Sequence, residues 1–121
     1  MIVLASKSPR RKEILKDLGY DFIVCPAKKD EVFDLSLGLD EALKKVAESK
    51  AKEVREFFLD SIIISADTIV CLDQKILGKP KSKEDAIKTL KALSNRRHQV
   101  KTGVCVIYKN QTFLHVETTD V

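Results

Sequence analysis

Residues 2–11 read Ile2-Val-Leu-Ala-Ser-Lys-Ser-Pro-Arg-Arg11, an apolar run, a short polar turn and a basic opening to a segment whose apolar residues Ile14, Leu15 and Leu18 recur at helical spacing. That order predicts a buried strand, a tight turn and a helix, the first half of an α/β unit. Ser8 suits the N-cap and Pro9 the first helical position, where a missing N–H costs nothing. The helix therefore starts at Pro9, and its first N–H groups, with the positive end of the dipole, make an anion site. Ser6, Ser8, Arg10 and Arg11 surround that point, and guanidinium is the side chain best shaped to hold phosphate oxygens in pairs. A phosphate ligand is one reading, and a plain N-cap with a solvated first turn is the other. Arginine in a first turn opposes the helix dipole, which favours the ligand.

Downstream, Gly19 fits a helix stop, and Tyr20–Val24 has the composition of a strand ended by Pro26. Asp30-Glu31 falls in a polar segment, where paired acids either coordinate a divalent cation or are solvated turn residues. Asp40 is placed to cap a long helix carrying Leu43, Val46, Ala47, Ala51, Val54, Phe57 and Phe58 at spacings of three and four. Lys50 borders that stripe, whereas Lys44, Lys45 and Lys52 are easily placed outward. On position alone, Lys50 reads as a lysine snorkelling from the stripe's edge.

Ser61-Ile-Ile-Ile-Ser-Ala66 is an apolar β-branched run with little alternation, as a strand covered on both faces requires. It is expected to end at Asp67-Thr68. Ligands of open α/β sheets gather outside the carboxyl ends of strands, and a carboxylate there needs a task or a partner, although an Asp capping a turn would look the same. Ile69–Leu72 continues extended, Asp73-Gln74 turns, and Ile76-Leu77 returns as a short hairpin ended by Gly78-Lys79-Pro80. Lys79, held between Gly and Pro, either aims its ammonium at an anion or is an exposed loop lysine. Ser82-Lys-Glu-Asp85 resembles a capping box before a helix with Ala86, Ile87, Leu90 and Leu93 on its apolar face, stopping near Ser94-Asn95. Arg96, Arg97 and His98 then lead into a strand, Val100–Tyr108, with Val100, Thr102, Val104 and Val106 on one face. After Lys109-Asn110-Gln111, Thr112–Val121 pairs back as an antiparallel hairpin. His98 and His115 are too isolated to suggest a metal pair.

The 121 residues, 44% hydrophobic and 33% charged, suit one domain without a low-complexity tract or an apolar run long enough to span a bilayer. The start lacks the basic n-region and long apolar h-region of a secretory signal, so a cytoplasmic location is expected. Cys25, Cys71 and Cys105 are odd in number and far apart, which argues against a disulfide framework or a zinc site and for small core residues in a reducing compartment. A net charge of +4 permits anionic partners without identifying nucleic acid.

Taken together, Ser6-Lys-Ser-Pro-Arg-Arg11, Lys50-Ala-Lys52, Ala66-Asp-Thr68, Leu77-Gly-Lys-Pro80, His98 with Val100, Thr102-Gly-Val104 and Glu117-x-Thr-x-Val121 resemble, in order, the Maf family of nucleoside triphosphate pyrophosphatases. The resemblance implies an α/β fold related to the inosine triphosphate pyrophosphatases, with a mixed sheet flanked by helices and a cleft between two lobes. It implies hydrolysis of a nucleoside triphosphate to the monophosphate and pyrophosphate, assisted by Mg²⁺ or Mn²⁺. Asp67 matches the family's proposed general base, and Ser8, Arg10, Arg11, Lys50 and Lys79 match positions that hold the triphosphate, with Ser6 beside them in the same motif. Arg10 and Thr68 match positions that mark the branch acting on dTTP and UTP rather than the one acting on 7-methyl-GTP. Asp30-Glu31 falls where the family has an acidic pair, one of which helps hold the cation. A homodimer is implied by analogy alone.

Family members continue past the Glu-x-Thr-x-Val strand into an Asp-Lys-Ala-Gly segment and a specificity glutamine, neither of which is in these 121 residues. Residues 1–121 are thus expected to be a single Maf-like domain incomplete at its C-terminal end. Two rival readings stand beside the enzyme. One is a nucleotide-binding or division-regulatory module that does not turn over. The other is a nucleic-acid binder using Arg10, Arg11, Arg96, Arg97 and Lys101, which lacks the interleaved aromatics of a single-strand binder, since 6% of the chain is aromatic.

Overall fold

The structure, a computed structural model, describes residues 1–28, 33–72, 75–77, 82–93 and 98–121. Strand β1 (Ile2–Leu4) leads through helix α1 (Pro9–Asp17) to β2 (Phe22–Val24), which lies parallel to β1 with Leu4 opposite Val24. A 3₁₀ turn at Leu35–Leu37 precedes α2 (Leu39–Arg55), and the chain returns as β3 (Ile62–Leu72), parallel to β1 with Leu4 opposite Ile64. The short β4 (Lys75–Leu77) pairs antiparallel with the second part of β3. Helix α3 (Lys83–Leu93) and the strands β5 (Gln99–Tyr108) and β6 (Gln111–Asp120) complete the described elements. The strand order is β2-β1-β3-β5-β6, with β4 off that path on β3. The fold is the expected α/β, a mixed sheet with helices.

The chain divides into two compact units. The first, Met1–Asp67 with Gly103–Val116, holds α1, α2 and the apolar core. Ala47, Ala51 and Val54 of α2 pack there on Val3 and Ala5, on Ile63 of β3 and on Cys105 and Ile107 of β5. Two alanines at the contact let the helix backbone approach the sheet closely. Gly103 takes this furthest, because a Cβ there would stand 2.8 Å from Leu43 Cγ and 3.1 Å from the Leu43 carbonyl oxygen. The second unit, Thr68–Thr102 with Glu117–Val121, contains β4, α3 and the open ends of the β5–β6 hairpin. There the His98 and Val121 main chains exchange N–H···O bonds of 3.3 and 2.9 Å.

Helix α1 is made by its ends. Ser8 is extended (φ −70°, ψ 118°) and its Oγ accepts the Arg11 N–H, while Pro9 opens the helix. At the other end Gly19 takes φ 84°, and the Tyr20 N–H donates to the Leu15 carbonyl and the Gly19 N–H to the Lys16 carbonyl. That is the Schellman closure for which glycine carries no steric cost. No α1 residue is buried. Ile14 and Leu18, whose spacing announces the helix, are exposed, so caps rather than packing account for it.

Several expectations are corrected. The cap of α2 is Gly38 at φ 87°, not Asp40; a left-handed residue suits glycine, so the helix begins two residues earlier and Asp40 joins Glu41 in a first turn that carboxylates favour. The helix ends at Arg55, short of Phe57 and Phe58, whose N–H groups bond back three residues to the Val54 and Arg55 carbonyls. Strand β3 does not end at Asp67-Thr68 but runs on to Leu72, because β4 supplies a new partner at Val70–Leu72 after β1 has stopped at Leu4. In β5, Val100, Thr102, Val104 and Val106 share a face as expected, and that face is half-buried while Lys101, Gly103, Cys105 and Ile107 form the fully buried one. On α3, Ile87 and Leu90 are exposed. The turn at Asp73-Gln74, the helix stop at Ser94-Asn95 and the Arg96-Arg97 pair lie outside the described residues.

Candidate active site

The β1–α1 turn gathers its polar groups around Ser6, which is buried. Its Oγ accepts the Ser8 N–H at 3.1 Å and Arg11 Nη1 at 3.4 Å. Ser8 Oγ takes the Arg11 N–H at 3.4 Å, and the Lys12 N–H reaches the Ser8 carbonyl. Ser6, Ser8 and Arg11 are thus brought together as expected, with Arg10 exposed beside them at the second helical position. From the carboxyl end of β1 the chain goes by way of α1 to β2 on one side and, later, by way of α2 to β3 on the other. That end of β1 is therefore a topological switch point, where open α/β sheets hold ligands.

The Ala5 N–H donates to the Ile64 carbonyl at 2.8 Å, so β3 passes the same sheet edge, and Asp67 follows three residues later. Asp67 is buried. Lys50 Nζ donates to its Oδ1 at 3.3 Å. The snorkelling reading of Lys50 is thereby corrected. Side chains of a helix lean toward its N-terminus, which carries the Lys50 stem back over the turn of Ala47 and the ammonium inward to a carboxylate. Asp67 in turn has the partner that a buried carboxylate requires. It sits within β3 rather than at its end, at the point where β1 no longer flanks the strand.

In the second unit Thr68 is exposed, with its Oγ1 3.0 Å from Thr102 Oγ1, either hydroxyl donating. Lys79, Asp30 and Glu31 lie outside the described residues. Among the described residues no three His, Cys, Asp or Glu side chains converge as a metal site. Lys101 is buried, its Nζ donating to Thr118 Oγ1 at 3.0 Å, which removes it from the basic surface a nucleic-acid binder would use. Burial, followed by the nearby Glu48 carboxylate, pushes the Cys105 thiol up to about 11, so it remains a protonated core residue.

Two contacts, one in each unit, escape a sequence reading. Ser65 is fully buried and its Oγ donates to the Ala47 carbonyl of α2, and Thr102 pairs with Thr68. A serine directly after Ile62-Ile-Ile64 in a buried run was the available signal for the first, since a buried hydroxyl needs an acceptor.

Among known proteins, the family model described as Maf-like protein matches residues 1–121. A dTTP/UTP pyrophosphatase of Halalkalibacterium halodurans is 42% identical over 120 residues, 99% of this chain and 63% of that protein. The one of Caldicellulosiruptor saccharolyticus is 47% identical over 110 residues, 88% of this chain and 55% of the relative. The Pyrococcus furiosus protein of the same name is 44% identical over 120 residues, 99% and 63% of the two chains. The chain thus spans between 55% and 63% of the length of these relatives. Among solved structures, the Staphylococcus aureus Ham1 protein superposes with a TM-score of 0.61 at 20% identity, over 98% of this chain and 69% of that one. A nucleoside-triphosphatase, dITP/XTP pyrophosphatase, of Mycobacterium abscessus gives 0.65 at 13% identity, over 98% and 72%. These two likenesses concern the fold.

Proposed function

We propose, since this chain belongs to the Maf-like protein family, that it hydrolyses nucleoside triphosphates, dTTP and UTP foremost, to the monophosphate and pyrophosphate. The observation that carries this reading is the Lys50–Asp67 pair, 3.3 Å apart, at the sheet edge where the β1–α1 turn gathers Ser6, Ser8 and Arg11. Relatives named dTTP/UTP pyrophosphatases support the substrate. The triphosphate is held by the α1 N-terminus, Ser6, Ser8, Arg10, Arg11 and Lys79, fixed donors and cations of the kind that stabilise charge gathering on phosphoryl oxygens. Asp67 is the general base. It takes a proton from water as the water oxygen bonds to the α-phosphorus, the bond from that phosphorus to the α–β bridging oxygen breaks, and pyrophosphate leaves with the electron pair. Lys50 holds the Asp67 carboxylate in place from one side and adds positive charge to the site. Thr68, oriented by Thr102, contributes to the choice of base.

The donor set suits a divalent cation, Mg²⁺ or Mn²⁺. Such ions are held by one or two carboxylates and the substrate's own phosphates, without a three-residue cage, and Asp67 is a buried carboxylate at this edge. Asp30 and Glu31 are the residues that would hold the ion, which when bound neutralises charge on the phosphoryl oxygens. A cytoplasmic compartment fits the three free thiols.

The test is a nucleotide panel with Mg²⁺ or Mn²⁺ in which pyrophosphate is resolved from orthophosphate. Pyrophosphate released in one step, faster from dTTP and UTP than from ATP and GTP, is the expected result. Sequential release of orthophosphate overturns the reaction, and UTP binding with no release assigns the protein to nucleotide binding alone.

A further inference from the structure

We infer that Ser65 is the positioning residue of the Lys50–Asp67 pair, fixing the register of α2 on β3 so that the ammonium meets the carboxylate. Ser65 is fully buried and its hydroxyl donates to the main-chain carbonyl of Ala47. A helix carbonyl already accepts the amide four residues on, so this bond is not needed to satisfy α2. What the bond adds is a directional tie in a contact made, apart from the Lys50–Asp67 pair itself, of non-directional apolar packing, Ala47, Ala51 and Val54 on Ile63.

The two ends of the tie stand at matching steps from the two members of the pair. Ser65 and Asp67 are two residues apart, hence on the same face of β3. Ala47 and Lys50 are three apart, hence on the same face of α2. The Ser65 bond and the Lys50 bond are therefore consecutive rungs between one helix and one strand. Gly103 makes a third fixed point one turn earlier, where α2 meets β5 at Leu43 with no room for a Cβ. Without the Ser65 rung the alanine-lined contact permits a small slide or roll, and the long Lys50 stem follows it away from Asp67. A buried hydroxyl is a costly way to fill space that alanine would fill, and this geometry gives it a task.

The catalytic part of this inference rests on the proposed hydrolysis, so the experiment has one readout that needs no turnover. The Asp67 carboxyl is followed by ¹³C-NMR titration in the wild type, Ser65→Ala and Lys50→Met. Ser65→Ala is expected to keep the fold, with its titration midpoint displaced from wild type toward that of Lys50→Met. With UTP, Ser65→Ala should lower kcat about tenfold and leave KM within about twofold, since orientation at the reacting centre is lost while the phosphate contacts of the β1–α1 turn are not touched. Ser65→Thr, which restores the hydroxyl, should recover most of kcat if its Tm matches that of Ser65→Ala or exceeds it. A Ser65→Ala protein that titrates as wild type overturns the inference. If Ser65→Ala titrates as expected yet the wild type releases no pyrophosphate, the proposed hydrolysis fails while the positioning role stands.

Discussion

Asp67 combines three properties that rarely coincide in a structural aspartate. It is buried, it is paired with an ammonium at 3.3 Å, and it lies on β3 just past the point where the parallel pairing with β1 stops. With Asp67 as the proposed base, Asp67→Asn takes away the proton acceptor and almost no volume, so the fold and UTP binding should persist while turnover falls by about 10² to 10⁴-fold, the usual worth of a general base. Unchanged turnover would put the base elsewhere. The role proposed for it rests on the motif Ala66-Asp-Thr68, because an Asp after an apolar run also describes a turn cap. Lys50 was less legible still. Its place on the stripe is the same whether its stem runs out to water or inward to a carboxylate, and only the position of β3 decides between them. Ser65 was read only as part of the buried run, since the acceptor of its hydroxyl is a main-chain atom on an element 18 residues away.

Among the elements, helix α2 determines the geometry of the first unit, and its seat on the sheet depends on what is missing from Gly103. Ordinary packing tolerates contacts near 3.5–4.0 Å, whereas a Cβ here would meet Leu43 Cγ at 2.8 Å. The Leu43 side chain can yield, but the main-chain oxygen at 3.1 Å moves only with the helix. Gly103→Ala should therefore cost about 1–3 kcal/mol, as overpacking does in close-packed cores, read as a fall in the denaturant midpoint. A neutral result would mean that α2 is seated loosely. Elements were legible where local chemistry decides them: Ser8-Pro9 and Gly19 for α1, the three- and four-residue spacing for α2, the apolar run for β3. Ends set by a tertiary partner were not legible. Strand β3 continues past Asp67 because β4 pairs with it, and the apolar spacing of α1 and α3 predicted helices without predicting that Ile14, Leu18, Ile87 and Leu90 would be exposed.

At the scale of the whole molecule, the core of the first unit links stability to pH. Cys105 packs with Ala47, Ala51, Val54, Ile63 and Ile107, and burial, with Glu48 next in weight, raises its thiol from 9.0 to about 11. An unfolded chain releases that proton near the ordinary value, whereas the folded chain keeps it for another two units. Between those values the native state therefore binds more protons than the unfolded one, and stability falls as pH rises. The contribution is fully present below pH 9 and is lost on the way to about 11, at up to roughly 1.4 kcal/mol per unit. Lysines and tyrosines also titrate in this range, so the informative quantity is a difference: from pH 8 to 10.5 the wild-type denaturant midpoint should fall more steeply than that of Cys105→Ala. The same burial predicts that at pH 8 a thiol reagent modifies half-buried Cys25 in the folded protein and reaches Cys105 only on unfolding. Parallel slopes in the two proteins, together with rapid native-state modification of Cys105, would mean that α2 does not seal the sheet beneath it, and the close seating argued for Leu43 and Gly103 would fail with it.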